Sequence, residues 1–117
     1  MLELVMRPGS LSRDTFHILV ALADGERHGY SIMQEIERRT AGKVRLSPST
    51  LYSAIKRLLE AGFIAELSER PDPSHDDERR RYYRITKAGR LAAIEEARLL
   101  DQLLADARST GLVPRRI

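Results

Sequence analysis

The sequence predicts a mainly α-helical fold that carries one small β-hairpin, and three observations support this prediction. Four segments repeat apolar residues at helical spacing, and residues typical of helix caps stand at their ends. Two short runs rich in branched and aromatic residues, 63–69 and 80–86, flank a loop rich in Pro and Asp. The predicted order is helix, helix, short strand, helix, strand, strand, helix. This is the order of a winged helix-turn-helix with one further helix at its end.

Composition sets broad limits on what the chain can be. The 117 residues suffice for one modest core, and 42% hydrophobic residues favour a globular chain over a disordered one. No cysteine is present, which excludes disulfides and thiolate chemistry. No apolar run approaches the roughly 18 residues of a membrane span, and the first ten residues lack the layout of a signal peptide. We therefore expect a cytoplasmic protein.

The first two predicted helices make up the N-terminal part of the fold. The first helix is capped by Ser12 or Asp14 and ends at Gly25. It is apolar around most of its circumference, so we expect it to be buried on several sides. The second begins after residue 28 and ends at Gly42. Its predicted inward residues are Tyr30, Met33 and Ile36, and its predicted outward residues are Gln34, Glu35, Glu37, Arg38 and Arg39. Residues 43–46 are short and branched enough to predict a small strand.

The third helix has the strongest start and stop signals in the chain. Ser47 is a good N-cap, Pro48 fits the first helical position, and Gly62 closes the helix. Its predicted apolar face is Leu51, Ala54, Ile55 and Leu58. The opposite face has small hydroxyl residues near its start and cations further on: Ser49, Thr50, Ser53, Lys56 and Arg57, with Tyr52 on the flank. This pattern suits a helix that reads DNA, because small side chains allow close approach to base edges and cations neutralise phosphates.

Charge is concentrated in the hairpin, although the net charge is only +3. The stretch RRRYYRITKAGR, residues 79–90, holds five arginines and one lysine, and the acids Asp72, Asp76, Asp77 and Glu78 precede it. Strand alternation is expected to turn Tyr83 and Ile85 to the core and Tyr82 and Arg84 away from it. We expect the stem of the hairpin to contact phosphate through Arg79, Arg80, Arg81 and Arg84, with the acidic tip directed elsewhere.

Other functions are also compatible with parts of this sequence. The outer face of the third helix and the arginine block at 79–90 are each, taken alone, typical of an ordinary solvated surface. His75 with the adjacent acids is a weak metal site, because its ligands are neighbours on one loop, so we expect no metal and no cofactor. The sequence contains no phosphate loop and no nucleophile elbow, so neither motif indicates an enzyme. The main alternative is a winged-helix module that binds protein or RNA.

Three motifs resemble the PadR family of bacterial transcriptional regulators: HGYSIMQEI at 28–36, SPSTLYSAIKRLLEAGFI at 47–64, and RRRYYRITKAGR at 79–90. The resemblance covers about residues 12–108. It implies a dimeric winged-helix repressor that responds to a small molecule or stress signal, in the short form with a single C-terminal helix. It also implies DNA contacts by Thr50, Tyr52 and Lys56. Ser49 and Ser53 depart from the family pattern, which has Gly and Pro there, and this affects the base preference.

The last predicted helix runs from Lys87 to about Arg108 after the cap Thr86, and we expect it to serve dimerisation. We take residues 1–86 as the DNA-binding domain and 87–117 as this helix and its tail. Leu91 and Ile94 point one way, toward the chain's own domain. On roughly the opposite side lies a stripe predicted to meet a second copy: Leu99, Leu100, Leu103, Leu104 and Ala107. Alternatively, the first helix and the segment MLELVM cover this stripe within one chain. A dimer would read a roughly palindromic operator, and an effector would bind between the last helix and the winged domain.

Overall fold

The computed structural model describes residues 11–67 and 81–114. In chain order the elements are α1 (Arg13–Leu22), β1 (Arg27–His28), α2 (Gly29–Arg39), α3 (Pro48–Ala61), β2 (Ile64–Glu66), β3 (Tyr82–Ile85) and α4 (Lys87–Ser109). This is the predicted winged helix-turn-helix followed by a final helix. None of the helices in the described ranges is long and apolar enough to cross a membrane.

Hydroxyl side chains begin three of the helices, as predicted. Ser12 Oγ accepts a hydrogen bond from Thr15 N, and Ser47 Oγ accepts one from Thr50 N, both at 3.2 Å. Thr86 Oγ1 accepts one from Gly89 N at 3.0 Å. Each bond satisfies a backbone N–H that the first turn of a helix leaves without a partner. These local signals fix the starts of α1, α3 and α4.

The core lies where α1, α2 and α3 pack together over the sheet. Its fully buried large side chains are Ile18, Leu19, Leu22, Ile32, Ile36, Leu51 and Leu58. Ile64 of β2 and Tyr83 of β3 join the same cluster, so the core extends from the three helices to the sheet. This packing holds α3 with its predicted apolar face inward, and its opposite face remains at the surface.

The sheet has three antiparallel strands in the order β1-β3-β2, one strand more than the predicted hairpin. Arg27 pairs with Tyr83 and His28 with Tyr82, so β1 forms the edge beside β3. The strand expected at 43–46 is wrong. That segment has no strand partner; instead Val44 N donates to Thr40 Oγ1 at 3.0 Å, within the turn that connects α2 to α3.

Two residues of α2 lie opposite to their predicted sides. Tyr30 was expected in the core but is 47% exposed, whereas Glu35 was expected at the surface and is 8% exposed. The buried positions of α2 are Gly29, Ile32, Glu35 and Ile36. The buried face of α2 is therefore rotated about the helix axis relative to the predicted face. Glu35 is buried because arginines surround it.

The predicted change of face along α4 is wrong. Leu91 and Ile94 do not pack on the chain's own domain, because they are 59% and 42% exposed. Gly89 and Ala92 are the buried residues instead. A Cβ on Gly89 would lie only 2.0 Å from the carbonyl oxygen of Phe63, so the helix backbone directly contacts the turn after α3. Small residues allow this contact and large ones would prevent it.

Candidate nucleic-acid interface

Hydroxyl groups cluster at the N-terminus of α3. Besides capping the helix, Ser47 Oγ donates to Thr50 Oγ1 at 3.0 Å and lies 3.3 Å from Ser49 Oγ. Ser49 is exposed and Thr50 is half-buried. The first turn therefore presents short polar side chains to solvent, in an arrangement that permits close approach to a groove of DNA.

The cations of α3 follow about two turns later. Lys56 and Arg57 are exposed, as is Ser53. Arg57 Nη1 donates to Ser53 Oγ at 3.1 Å, which directs the guanidinium back along the helix toward its start. The structure thus brings Ser49, Ser53, Lys56 and Arg57 onto one open face, in agreement with the predicted geometry. Their contact with DNA stays a prediction.

Tyr52 lies on the flank of α3 and packs partly against the core. Its hydroxyl is close to the start of α2, since a Cβ on Gly29 would lie 2.6 Å from Tyr52 Oη. Gly29 therefore provides room for the tyrosine. Tyr52 connects the two helices of the helix-turn-helix, and the role in DNA contact that the resemblance implies stays a prediction.

The stem of the wing, residues 64–67 and 81–85, lies beside the helix-turn-helix. Tyr83 is buried and Arg84 is exposed, as the strand alternation predicted. Arg81 is exposed, and its Nε lies 3.8 Å from Glu66 Oε2. Arg79, Arg80 and the acids of the loop fall outside the described residues. Of the four predicted phosphate contacts in the wing, the structure therefore places two, and both are at the surface.

The wing stem is tied to the helix-turn-helix at two points. Gly29 N, at the start of α2, donates to the carbonyl oxygen of Arg81 at 3.2 Å. The ring of Tyr82 meets the ring of His28 edge to face, with centroids 5.3 Å apart. His28 also caps α2, because its Nδ1 accepts from Ser31 N at 3.0 Å. These contacts fix the position of β3 relative to α2.

Glu35 lies at the centre of a charged cluster that also connects α2 to the sheet. Its carboxylate is 2.6 Å from Arg39 Nε and 3.6 Å from Arg27 Nη2, and it accepts from Arg38. The Arg38 hydrogen bond, aided by the charges of Arg27 and Arg39, lowers the pKa of Glu35 from 4.5 to about 2. Arg27 belongs to β1 and also donates to the carbonyl oxygen of Ala21 at 2.8 Å. One buried carboxylate thus links α1, α2 and the edge of the sheet.

Sequence reasoning missed two cations in the turn between α2 and α3. Lys43 and Arg45 are exposed, while Val44 and Leu46 between and after them pack against the core. Thr40 makes the turn rigid, because its Oγ1 donates to the carbonyl oxygen of Ile36 at 2.9 Å while accepting from Val44 N. The alternation of basic and apolar residues in 43–46 is the signal for these exposed cations, and the same alternation also predicts a strand.

Among residues 11–67 and 81–114, no group of three or more His, Cys, Asp or Glu side chains is arranged to hold a metal ion. The cluster around His75 lies outside these ranges. The residues described at the interface are hydroxyls and cations, which bind by hydrogen bonding and charge.

Comparison with known proteins agrees with this architecture. The transcriptional regulator PadR-like family matches residues 18–95. Transcriptional regulator Rv3488 of Mycobacterium tuberculosis is 41% identical over 87 residues, which are 74% of this chain and 75% of that protein. A transcriptional regulator from Clostridium thermocellum, Cth-833, superposes with a TM-score of 0.61 at 31% identity, over 80% of this chain and 87% of that one.

A mutant of Lactococcus lactis ZitR in complex with DNA shares the fold, with a TM-score of 0.59 at 22% identity over 87% of this chain and 61% of that one. The family match and the identity to the mycobacterial regulator cover most of the chain. The chain therefore belongs to the PadR-like family of transcriptional regulators, whose members are not enzymes.

Proposed function

We propose that the chain regulates transcription by binding duplex DNA in a sequence-specific manner through α3 and the wing stem. The observation that carries the proposal is the open face of α3, with hydroxyls at its start and Lys56 and Arg57 further along. The first turn would read base edges, and the cations of α3 and β3 would neutralise phosphates on either side. The existence of a DNA complex of ZitR, which shares the fold, supports this use of the architecture.

The test is fluorescence anisotropy with two labelled duplexes, one from the gene's own upstream region and one scrambled. Each is titrated at low and near-physiological salt. Tight binding to the upstream duplex that persists in salt is the expected result, because base contacts do not depend on counterion release. Equal, weak binding to both duplexes that disappears with salt would contradict sequence-specific recognition.

We infer that the protein acts as a homodimer through the stripe Leu99, Leu100, Leu103, Leu104 and Ala107. The four leucines are 38–63% exposed in the single chain. On a helical wheel the stripe continues the line of Gly89 and Ala92, so α4 extends its packing face beyond its own domain. An exposed apolar stripe of this size favours a symmetric partner. Two copies of α3 would then read a roughly palindromic operator.

The dimer proposal is tested with the double variant Leu100→Glu and Leu104→Glu, whose mass is measured by light scattering. We expect monomers that bind DNA poorly, because burying a carboxylate in an apolar interface is strongly unfavourable. Leu112→Glu is the matched control, since that leucine is 81% exposed and outside the stripe. A dimer that survives both changes in the stripe would place the interface elsewhere.

Release by a small-molecule effector belongs to the same proposal. A cavity of about 320 Å³ lies between α1 and α4, lined by Phe16, His17, Glu96 and Leu100 among others. Its position supports an effector that alters the spacing of the two recognition helices. We propose repression as the mode of action because the family resemblance implies it. A reporter driven by the upstream region is expected to rise when the protein is absent, and a fall would indicate activation.

A further inference from the structure

Two arginines on the proposed DNA surface are each held by a glutamate. Arg45, in the turn before α3, has its Nε 3.5 Å from Glu37 Oε2 of α2. Arg81, just before β3, has its Nε 3.8 Å from Glu66 Oε2 of β2. The two pairs lie on different elements, and each element adjoins α3 or the wing. Each pair therefore places a negative charge next to a cation that is available to bind phosphate.

Both pairs are exposed to solvent and therefore easily exchanged. The side chains of Arg45 and Glu37 are 72% and 49% exposed, and those of Arg81 and Glu66 are 44% and 34% exposed. Ion pairs of this kind contribute little to stability because water and salt screen them. A phosphate brought close by the duplex would compete with either glutamate for the guanidinium, to which it binds strongly.

The cluster around Glu35 shows the contrasting arrangement. The Glu35 side chain is only 9% exposed and lies among three arginines, so water screens its pairs less than the two exposed pairs. The same chain thus uses buried acid–arginine contacts to fix α2 and exposed ones at the DNA surface. The degree of burial distinguishes the structural pairs around Glu35 from the exposed pairs at the proposed DNA surface.

We propose that Glu37 and Glu66 restrain non-specific DNA binding by occupying Arg45 and Arg81 in the free protein. The proposal rests on duplex DNA binding by this surface. On any duplex, part of the favourable arginine–phosphate interaction is offset by loss of the glutamate pair and by repulsion between the glutamate and phosphate. At the operator, base contacts add to the binding and outweigh this cost. The two glutamates therefore weaken binding to every duplex, and only a duplex that also offers base contacts is bound tightly.

The test measures affinity for the scrambled duplex at low salt with Glu37→Gln, Glu66→Gln and the double variant. Each single change is expected to tighten binding by roughly threefold and the pair by about tenfold, since surface charge pairs of this kind are weak and separate sites add. Glu95→Gln, an exposed position on α4, changes the net charge equally and is expected to have no effect. Both glutamates lie at the surface, so replacing them with Gln is expected to leave the fold intact.

A second background isolates the pair itself. In the Arg45→Ala protein, the gain in affinity for the scrambled duplex caused by Glu37→Gln is expected to fall toward that of Glu95→Gln. The reason is that Arg45, the partner of Glu37, is absent from this protein. Equal affinities of Glu37→Gln, Glu66→Gln and Glu95→Gln would overturn the proposal, as would a full gain that persists without Arg45. If the unmodified protein binds neither duplex at any salt, the proposed function and this inference both fall.

Discussion

Gly89 provides the most quantitative test of the fold, through the substitution Gly89→Ala. The third residue of α4 lies so close to the turn after α3 that a Cβ would be 2.0 Å from Phe63 O and 2.8 Å from Phe63 C. A carbon atom normally approaches a carbonyl oxygen to about 3.3 Å. Because the obstacle is backbone, relief requires α4 or the turn to move by more than about 1 Å.

The size of the effect follows from three contributions. Alanine gains about 1 kcal/mol over glycine as a helix former. Overpacking at a rigid contact costs about 1–3 kcal/mol. Moving α4 also strains two hydrogen bonds, from Thr86 N to Phe63 O at 3.0 Å and from Thr86 Oγ1 to Gly62 O at 2.6 Å, worth about 1 kcal/mol each. If both bonds are lost, the expected net decrease in the free energy of unfolding is about 2–4 kcal/mol.

The assay is urea unfolding followed by circular dichroism at one fixed protein concentration, so that any dimer equilibrium is held constant. Ala97→Gly, at an exposed position of the same helix, is the control and is expected to cost only about 1 kcal/mol. A Gly89→Ala protein as stable as the original, or more stable, would refute the close contact between α4 and the turn.

Three further predictions concern charge and recognition. The pKa of Glu35 is lowered to about 2, so the stability that its charge contributes is complete above the ordinary pKa of 4.5 and is lost as pH falls from 4.5 toward 2. The variant Glu35→Gln should therefore lower the urea midpoint at pH 7 and flatten the curve of stability against pH in acid. An unchanged curve would argue against the charged cluster. Arg84→Ala should weaken operator and scrambled duplexes alike and lower the salt slope by about 0.9, unlike Arg98→Ala on α4; an unchanged slope would remove β3 from the interface. Thr50→Ala should alter base preference in a selection from random duplexes, and a uniform loss of affinity would mean that this residue does not read bases.

Local sequence signals predicted the starts of the helices well, whereas α1 and α2 end at Leu22 and Arg39, three residues before the predicted Gly25 and Gly42. Ser12, Ser47 and Thr86 act through backbone groups only three residues away, so their roles can be deduced without knowing the fold. Pro48 and Gly62 act in the same way at the two ends of α3. The alternation of Tyr83 and Arg84 about β3 was likewise predictable from the period of a strand.

Long-range contacts explain what was missed. The strand β1 has only two residues, and it is defined by its pairing with β3, which lies far along the chain. Glu35 is buried because Arg27 reaches it from that same short strand, which a helical wheel of α2 alone does not show. The size and apolar character of Leu91 predict that it points inward, whereas the actual contact requires the absence of a side chain at Gly89.

Contact of α3 and the wing stem with the same duplex is tested most directly by an amide NMR titration with the upstream duplex. We expect the largest shift changes at 43–57 and 81–84, with smaller changes in α1. Changes confined to α4, or spread evenly over the chain, would contradict the proposed interface.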